Sequence, residues 1–143
     1  MSYTLKEFKE IRLLATGAKL ERAELTYAYH NAQLQGICNG IGPECFPGWL
    51  RKTLNALHPT LVPVAFIHDL EWYRGDGQVT SFLASNLRFR RNGWRMAKFR
   101  YAWFDPRRYL VMRQASRFAR LCTLFGWGAW KRASGINKEE NTK

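Results

Sequence analysis

A chain of 143 residues is long enough for one domain with a buried core, and its 46% hydrophobic content excludes a disordered polypeptide. The formal net charge is +12, and the whole excess lies in residues 87–143, which hold fifteen Lys and Arg but only three Asp and Glu. This asymmetry predicts a surface that meets the phosphates of nucleic acid or of anionic lipid, with a merely solvated basic face as the alternative.

Apolar periodicity and helix breakers predict an all-α chain, because almost no segment alternates as a strand does. The first helix begins with Thr4-Leu5-Lys6-Glu7, which has the Thr-x-x-Glu form of a capping box. Four glycines and two prolines predict a fixed, irregular loop over residues 36–48. In chain order, we expect helices at about 4–15, 18–35, 49–57, 62–75, 80–92, 94–104 and 106–125.

Glycine, aspartate and proline mark the expected ends of the later helices. Gly93 is expected to end the helix over 80–92, and Asp105-Pro106 has the form of an N-cap followed by a proline in the first helical turn. In the helix that follows, we expect the large apolar side chains to be buried, among them Tyr109, Leu110, Phe118 and Leu121.

The predicted architecture is one domain over residues 1–133, followed by a polar, flexible tail at 134–143. Its centre is a pair of antiparallel helices at about 62–75 and 80–92, with the Gly-rich loop over them and further helices on both sides. The chain has no apolar run long enough to span a bilayer and no signal-peptide core at its N-terminus. We expect reduced cysteines, with a Cys38–Cys45 disulfide as the alternative.

The dipeptide His68-Asp69 places a general base beside a carboxylate on a helix that otherwise has a core composition. A carboxylate and the backbone carbonyls of a Gly-rich loop are the ligands that a calcium ion takes, and a neighbouring histidine can activate a water. The alternative is a structural pair whose hydrogen bonds are satisfied within the core. The segment is therefore either a candidate esterase site or part of the packing.

In its order of motifs, the chain resembles phospholipase A2, and especially the viral, cysteine-poor members of that family. The matching segments are Asn39-Gly40-Ile41-Gly42-Pro43, for the calcium loop, and His68-Asp69-Leu70-Glu71-Trp72-Tyr73, for the His-Asp-x-x-Tyr helix. The resemblance covers about residues 36–92. It implies that His68 is the general base and that Asp69 and the backbone of Gly40 and Gly42 bind calcium. It also implies that Tyr73 belongs to the hydrogen-bond network of the site.

The second helix of the resemblance departs from the family at Asn86, where the family has an aspartate that orients the histidine. An amide can orient an imidazole but supplies no negative charge to stabilise the imidazolium. In a serine protease triad, the corresponding Asp-to-Asn change lowers turnover about 10⁴-fold. The cysteines that the family places around the active-site helix are also missing here.

The chain also resembles a family of small phage and prophage proteins of unassigned function. The shared motifs are Pro47-Gly48-Trp49, Ala65-Phe66-Ile67-His68-Asp69, Asn86-Leu87-Arg88-Phe89 and Phe125-Gly126-Trp127. This resemblance covers about residues 43–130 and implies a phage or prophage origin but no reaction. The expected location is then the host cytoplasm or the virion, with a phage or host protein as an alternative partner.

Five arginines recur at helical spacing after residue 105 and are candidate ligands for phosphate: Arg107, Arg108, Arg113, Arg117 and Arg120. They favour docking on an anionic membrane for a calcium-dependent lipase. For a catalytically inactive protein, they favour binding to nucleic acid or to a protein. A third interpretation takes His30, His68-Asp69 and Asp105 as the sparse pattern of the metal-dependent HD phosphohydrolases.

Overall fold

The computed structural model describes residues 3–38 and 47–140, with side chains described as far as residue 135. This part of the chain contains no strand, so the all-α prediction is confirmed. Its helices are α1 (Leu5–Gly17), α2 (Asn31–Ile37), α3 (Gly48–Leu57), α4 (Val62–Tyr73), α5 (Val79–Arg100), α6 (Pro106–Phe125) and α7 (Trp127–Glu140). Two 3-10 turns lie at Ala23–Tyr27 and Pro59–Leu61. None of the described helices has the length and hydropathy of a membrane span.

Helix α4 lies at the centre of the hydrophobic core. Eight of its twelve residues are buried, as its nearly continuous apolar composition requires, and it packs against α1, α5 and α7. Leu61, just before α4, faces Gly93, whereas Trp72 near its end contacts Phe82 and Ser85. Helices α4 and α5 are therefore antiparallel neighbours.

Gly93 does not end a helix, because α5 continues to Arg100. The helices predicted at 80–92 and 94–104 are consequently one helix. Gly93 instead faces α6, where a Cβ built on it would lie 2.2 Å from the Cβ of Ala115. The missing side chain lets the backbones of α5 and α6 approach closely. From the sequence alone, a glycine with this packing role cannot be distinguished from a glycine that ends a helix.

The N-terminus of α6 is built as predicted. The Asp105 carboxylate accepts the backbone N–H of Arg107 at 2.9 Å, and Pro106 takes the first helical position. The buried face is different from the prediction, since it consists of the smaller residues Val111, Ala115 and Ala119.

The large apolar side chains of α6 lie mostly outside the core. Tyr109, Leu110 and Leu121 are each about half exposed, and Phe118 is partly buried against the edge of the core. The prediction that all four side chains are buried is therefore wrong for Tyr109, Leu110 and Leu121. The close approach of α5 and α6 at Gly93 explains this result, because only small side chains fit between two helices at such a crossing.

The N-terminal region confirms the capping box but not the long second helix. Thr4 Oγ1 accepts the backbone N–H of Glu7, and the Glu7 carboxylate accepts the N–H of Thr4. Over the predicted 18–35 helix, the chain instead forms the turn at Ala23–Tyr27 and the short α2, which includes Gly36. Lys19 and Arg22 have φ values of 51° and 66°, in the left-handed region that interrupts a helix.

Helix α7 closes the domain over the α4–α5 pair. Trp130 is 1% exposed, and its ring contacts Trp72 and Phe82, each at a centroid distance of 6.0 Å. The helix continues to Glu140 and buries Ser134, so it extends into the segment predicted to be a tail.

Candidate functional site

His68 lies in the middle of α4 and is buried against α5. Its Nε2 is 2.8 Å from Oδ1 of Asn86, which is itself 1% exposed. The imidazole also contacts the rings of Trp72 and Phe89, at centroid distances of 4.7 and 5.1 Å. The structure thus brings together two residues that are eighteen positions apart and that the sequence singled out as a catalytic pair.

The orientation of the Asn86 amide sets the tautomer of His68. As the amide is oriented in the structure, Oδ1 of Asn86 accepts a hydrogen bond from Nε2 of His68, which leaves the lone pair of the neutral ring on Nδ1, while Nδ2 of Asn86 is buried without a partner among the described residues. Burial lowers the pKa of His68 from an ordinary 6.5 to about 4, while the Asn86 hydrogen bond acts in the opposite direction. At neutral pH the ring is therefore unprotonated and Nδ1 can accept a proton.

Trp72, and not Tyr73, takes the aromatic position of the histidine motif. A His-Asp-x-x-Tyr spacing places its aromatic residue four positions after the histidine, one helical turn away, and here that position is Trp72. Its indole Nε1–H donates to Ser85 Oγ at 3.0 Å, which ties α4 to α5 beside the His68–Asn86 pair. Tyr73 points elsewhere and packs edge-on against Tyr29 at 5.9 Å.

Asp69 lies within electrostatic range of Cys38, where the Gly-rich segment leaves the described structure. Cys38, the last described residue before residues 39–46, is a free cysteine whose buried thiol donates to the Phe66 carbonyl oxygen at 3.7 Å. Burial raises the pKa of the Cys38 thiol, and the charge of Asp69 raises it further. The chain that leads into residues 39–46 is therefore held on α4 within the electrostatic range of Asp69.

The residues present agree in part with a calcium site. Asp69 supplies a carboxylate, which is the donor that calcium prefers, while Gly40, Gly42 and Cys45 lie outside the described residues. In residues 3–38 and 47–140, no three His, Cys, Asp or Glu side chains cluster in a way that holds a metal. A site of one carboxylate and several backbone carbonyls needs no such cluster.

The arrangement of the HD phosphohydrolases is not formed. His30 caps the N-terminus of α2, and Asp105 caps α6, where Arg107 binds it at 2.7 Å. These residues do not join His68 and Asp69 in any metal-holding group within the described chain. That interpretation is wrong.

The five candidate arginines do not share one face of α6. Arg113, Arg117 and Arg120 are exposed, and their spacing of four and three residues places them on one face. Arg107 is paired with Asp105, and Arg108 is partly buried. The exposed basic face of α6 therefore consists of Arg113, Arg117 and Arg120.

Comparison of the chain with family models, with curated proteins and with solved structures finds no match. Function must therefore be inferred from the geometry of the His68 region and from the charged surfaces.

Proposed function

We propose that the chain is a phage-derived, phospholipase A2-like protein that hydrolyses ester bonds at anionic membranes. The observation that carries the proposal is the His68–Asn86 hydrogen bond across two antiparallel helices, with Asp69 next in sequence and Cys38, the last described residue before residues 39–46, bonded to the Phe66 carbonyl of the same helix. A neutral histidine that donates through Nε2 keeps its lone pair on Nδ1, which is the nitrogen that would act on a water molecule in this proposal.

In the proposed reaction, Nδ1 of His68 removes a proton from water as the water oxygen bonds to the ester carbonyl carbon. The ester C–O bond then breaks, and the imidazolium returns the proton to the leaving alcohol, so the products are a carboxylic acid and an alcohol. A calcium ion, when bound by Asp69 and by the backbone of Gly40 and Gly42, would supply positive charge to the ester carbonyl oxygen.

Asn86 sets the expected rate. It holds the ring but supplies no charge to the imidazolium, and the low pKa of His68 makes that cation costly in this environment. We therefore expect slow hydrolysis relative to a variant with a carboxylate at position 86.

The exposed basic face of α6 supplies the contact with the membrane in this proposal. Arg113, Arg117 and Arg120 carry positive charge, and Leu121 and Leu124 on the same helix are 49% and 65% exposed. Basic and apolar side chains together are the composition that binds at the surface of an anionic bilayer.

A second candidate is a catalytically inactive protein that binds nucleic acid, or a phage or host protein, through this same face. The absence of an acid at position 86 favours it, because the pair then has a structural role and the arginines carry the function. Its DNA affinity would fall steeply with salt, as counterion release requires.

The deciding experiment measures fatty acid release from phosphatidylglycerol vesicles, with calcium and with chelator. The wild type is compared with His68→Ala and with the matched control His58→Ala, whose histidine hydrogen-bonds Gln114 away from the site. Calcium-dependent release that is lost only at His68 supports the lipase. Equal release by all three proteins contradicts it, and DNA binding with a steep salt dependence would then support the second candidate.

A further inference from the structure

A polar cavity of about 510 Å³ lies on the side of α4 that carries Glu71, between the start of α5 and helix α7. The cavity walls include Arg22, Glu71, Arg74, Thr80, Ser85 and Trp130. Glu71, Ser85 and Trp130 are buried, whereas Arg22 and Arg74 are exposed, so the two arginines form the rim over a buried floor. This volume is typical of sites for small molecules.

The acidic groups of the cavity already have partners. Glu71 is 8% exposed and forms an ion pair with Arg88, which also lines the cavity. Asp76 accepts hydrogen bonds from the Gln78 backbone N–H and from the Ser81 hydroxyl, at 2.9 and 2.8 Å.

Hydrogen-bond donors remain in excess. In the described part of the chain, neither Arg22 nor Arg74 has a salt bridge. The indole Nε1–H of Trp130 is fully buried and has no acceptor there, although buried donors are nearly always paired. Two guanidinium groups without a salt bridge therefore remain at the rim of a space that suits a ligand rich in acceptor oxygens.

We propose that this cavity binds the phosphate group of an organic phosphate. Guanidinium groups match phosphate oxygens with paired hydrogen bonds, and Leu25, Ala84 and the Trp130 ring supply an apolar wall for the organic part. The ligand is either a soluble phosphomonoester or the phosphomonoester headgroup of a lipid. The inference does not depend on ester hydrolysis at His68, because neither His68 nor Asp69 lines the cavity.

Two probes test the proposal and separate the two sources of phosphate. Glycerol 3-phosphate represents the soluble phosphomonoester, and phosphatidic acid vesicles represent the lipid headgroup. Phosphatidylglycerol vesicles, which are anionic but carry no phosphomonoester, are the blank. Binding is measured by calorimetry for the first probe and by co-sedimentation for the second, and the melting temperature is followed with glycerol 3-phosphate. The variants are Arg22→Gln and Arg74→Gln, each of which removes one guanidinium group from the rim of the cavity.

The matched control is Arg100→Gln, which removes one positive charge from the exposed end of α5, outside both the cavity and the basic face of α6. We expect saturable binding of one probe, an affinity loss of about tenfold or more in each cavity arginine variant, and little change in the control. Glycerol 3-phosphate binding with a raised melting temperature identifies a soluble ligand, and the same variant pattern with vesicles alone identifies a headgroup. The absence of binding in both arms, or an equal loss in the control, overturns the proposal.

Discussion

Replacement of Asn86 by Asp tests whether residue 86 controls the charge state of His68. The change keeps the size of the side chain and places a carboxylate where Oδ1 now lies, 2.8 Å from Nε2. A negative charge this close favours the imidazolium and raises a histidine pKa by about 1–3 units. Starting from the present pKa of about 4, we expect the pKa of His68 to rise to roughly 5–7 in Asn86→Asp.

The assay is a pH titration of the imidazole resonances by NMR, which is tractable because the chain has three histidines. The matched control is Asn92→Asp, the same substitution on α5 at another buried asparagine, which hydrogen-bonds the backbone of Glu21 through both amide atoms. Asn92→Asp loses the N–H that donates to the Glu21 carbonyl oxygen, so this control is expected to be less stable than the wild type. The pKa of His68 is expected to be unchanged in it.

The same variant carries information on catalysis. If the proposed hydrolysis occurs, Asn86→Asp supplies the missing charge and should release fatty acid faster than the wild type at neutral pH. A pKa of His68 that stays near 4 in Asn86→Asp would refute the inference that residue 86 sets the properties of the ring. A raised pKa without any release would leave the pair structural and favour the binding protein.

The remaining predictions concern stability. The pKa of His68 is about 4 in the folded protein and 6.5 in its ordinary state. His68 therefore contributes about 3 kcal/mol to the free energy of unfolding above pH 6.5, and this contribution is lost as the pH falls through 4. Urea unfolding at a series of pH values would detect the loss. Gly93→Ala should destabilise by about 1–3 kcal/mol, because its Cβ would collide with α6, whereas Gly36→Ala, with no atom within 4 Å, should be neutral or stabilising. If both alanines stabilise, the close crossing is wrong. Arg88→Met should cost about 3 kcal/mol by leaving Glu71 buried without its partner, and adding Glu71→Gln should recover part of that loss in thermal unfolding; equal stability of the single and double variants would contradict this.

Features that depend on a few neighbouring residues were predictable from the sequence. The Thr4 capping box and the Asp105-Pro106 start of α6 need only residues within one turn, and both are present. Gly93 could not be interpreted in this way, because its role is set by Ala115, twenty-two positions later. The same long-range contact decides which side chains of α6 are buried, and periodicity alone therefore selected the wrong ones.

The candidate sites show the same division. His68 was singled out by its residue type and Asn86 by its position in the resemblance, and the structure places them in hydrogen-bond contact. Trp72 was missed as the aromatic neighbour of His68, although the helical spacing of four was a usable signal. The cavity gave no signal in the sequence, because Arg22, Arg74 and Trp130 come from three distant segments that only the fold brings to one place.

The positions of Asp69 and Glu71 around the axis of α4 allow the two candidate sites to be perturbed separately. Asp69 and Glu71 are two residues apart, about 200° around a helix, so Asp69 lies toward the Cys38 side and Glu71 toward the cavity. His68 lies between them and faces α5. A substitution at Asp69 should therefore alter metal dependence without altering phosphate binding, and one at Arg74 should do the opposite. If Asp69→Asn and Arg74→Gln each impaired both properties, the two sites would have to be one, and the hydrolytic substrate would then be the ligand of the cavity.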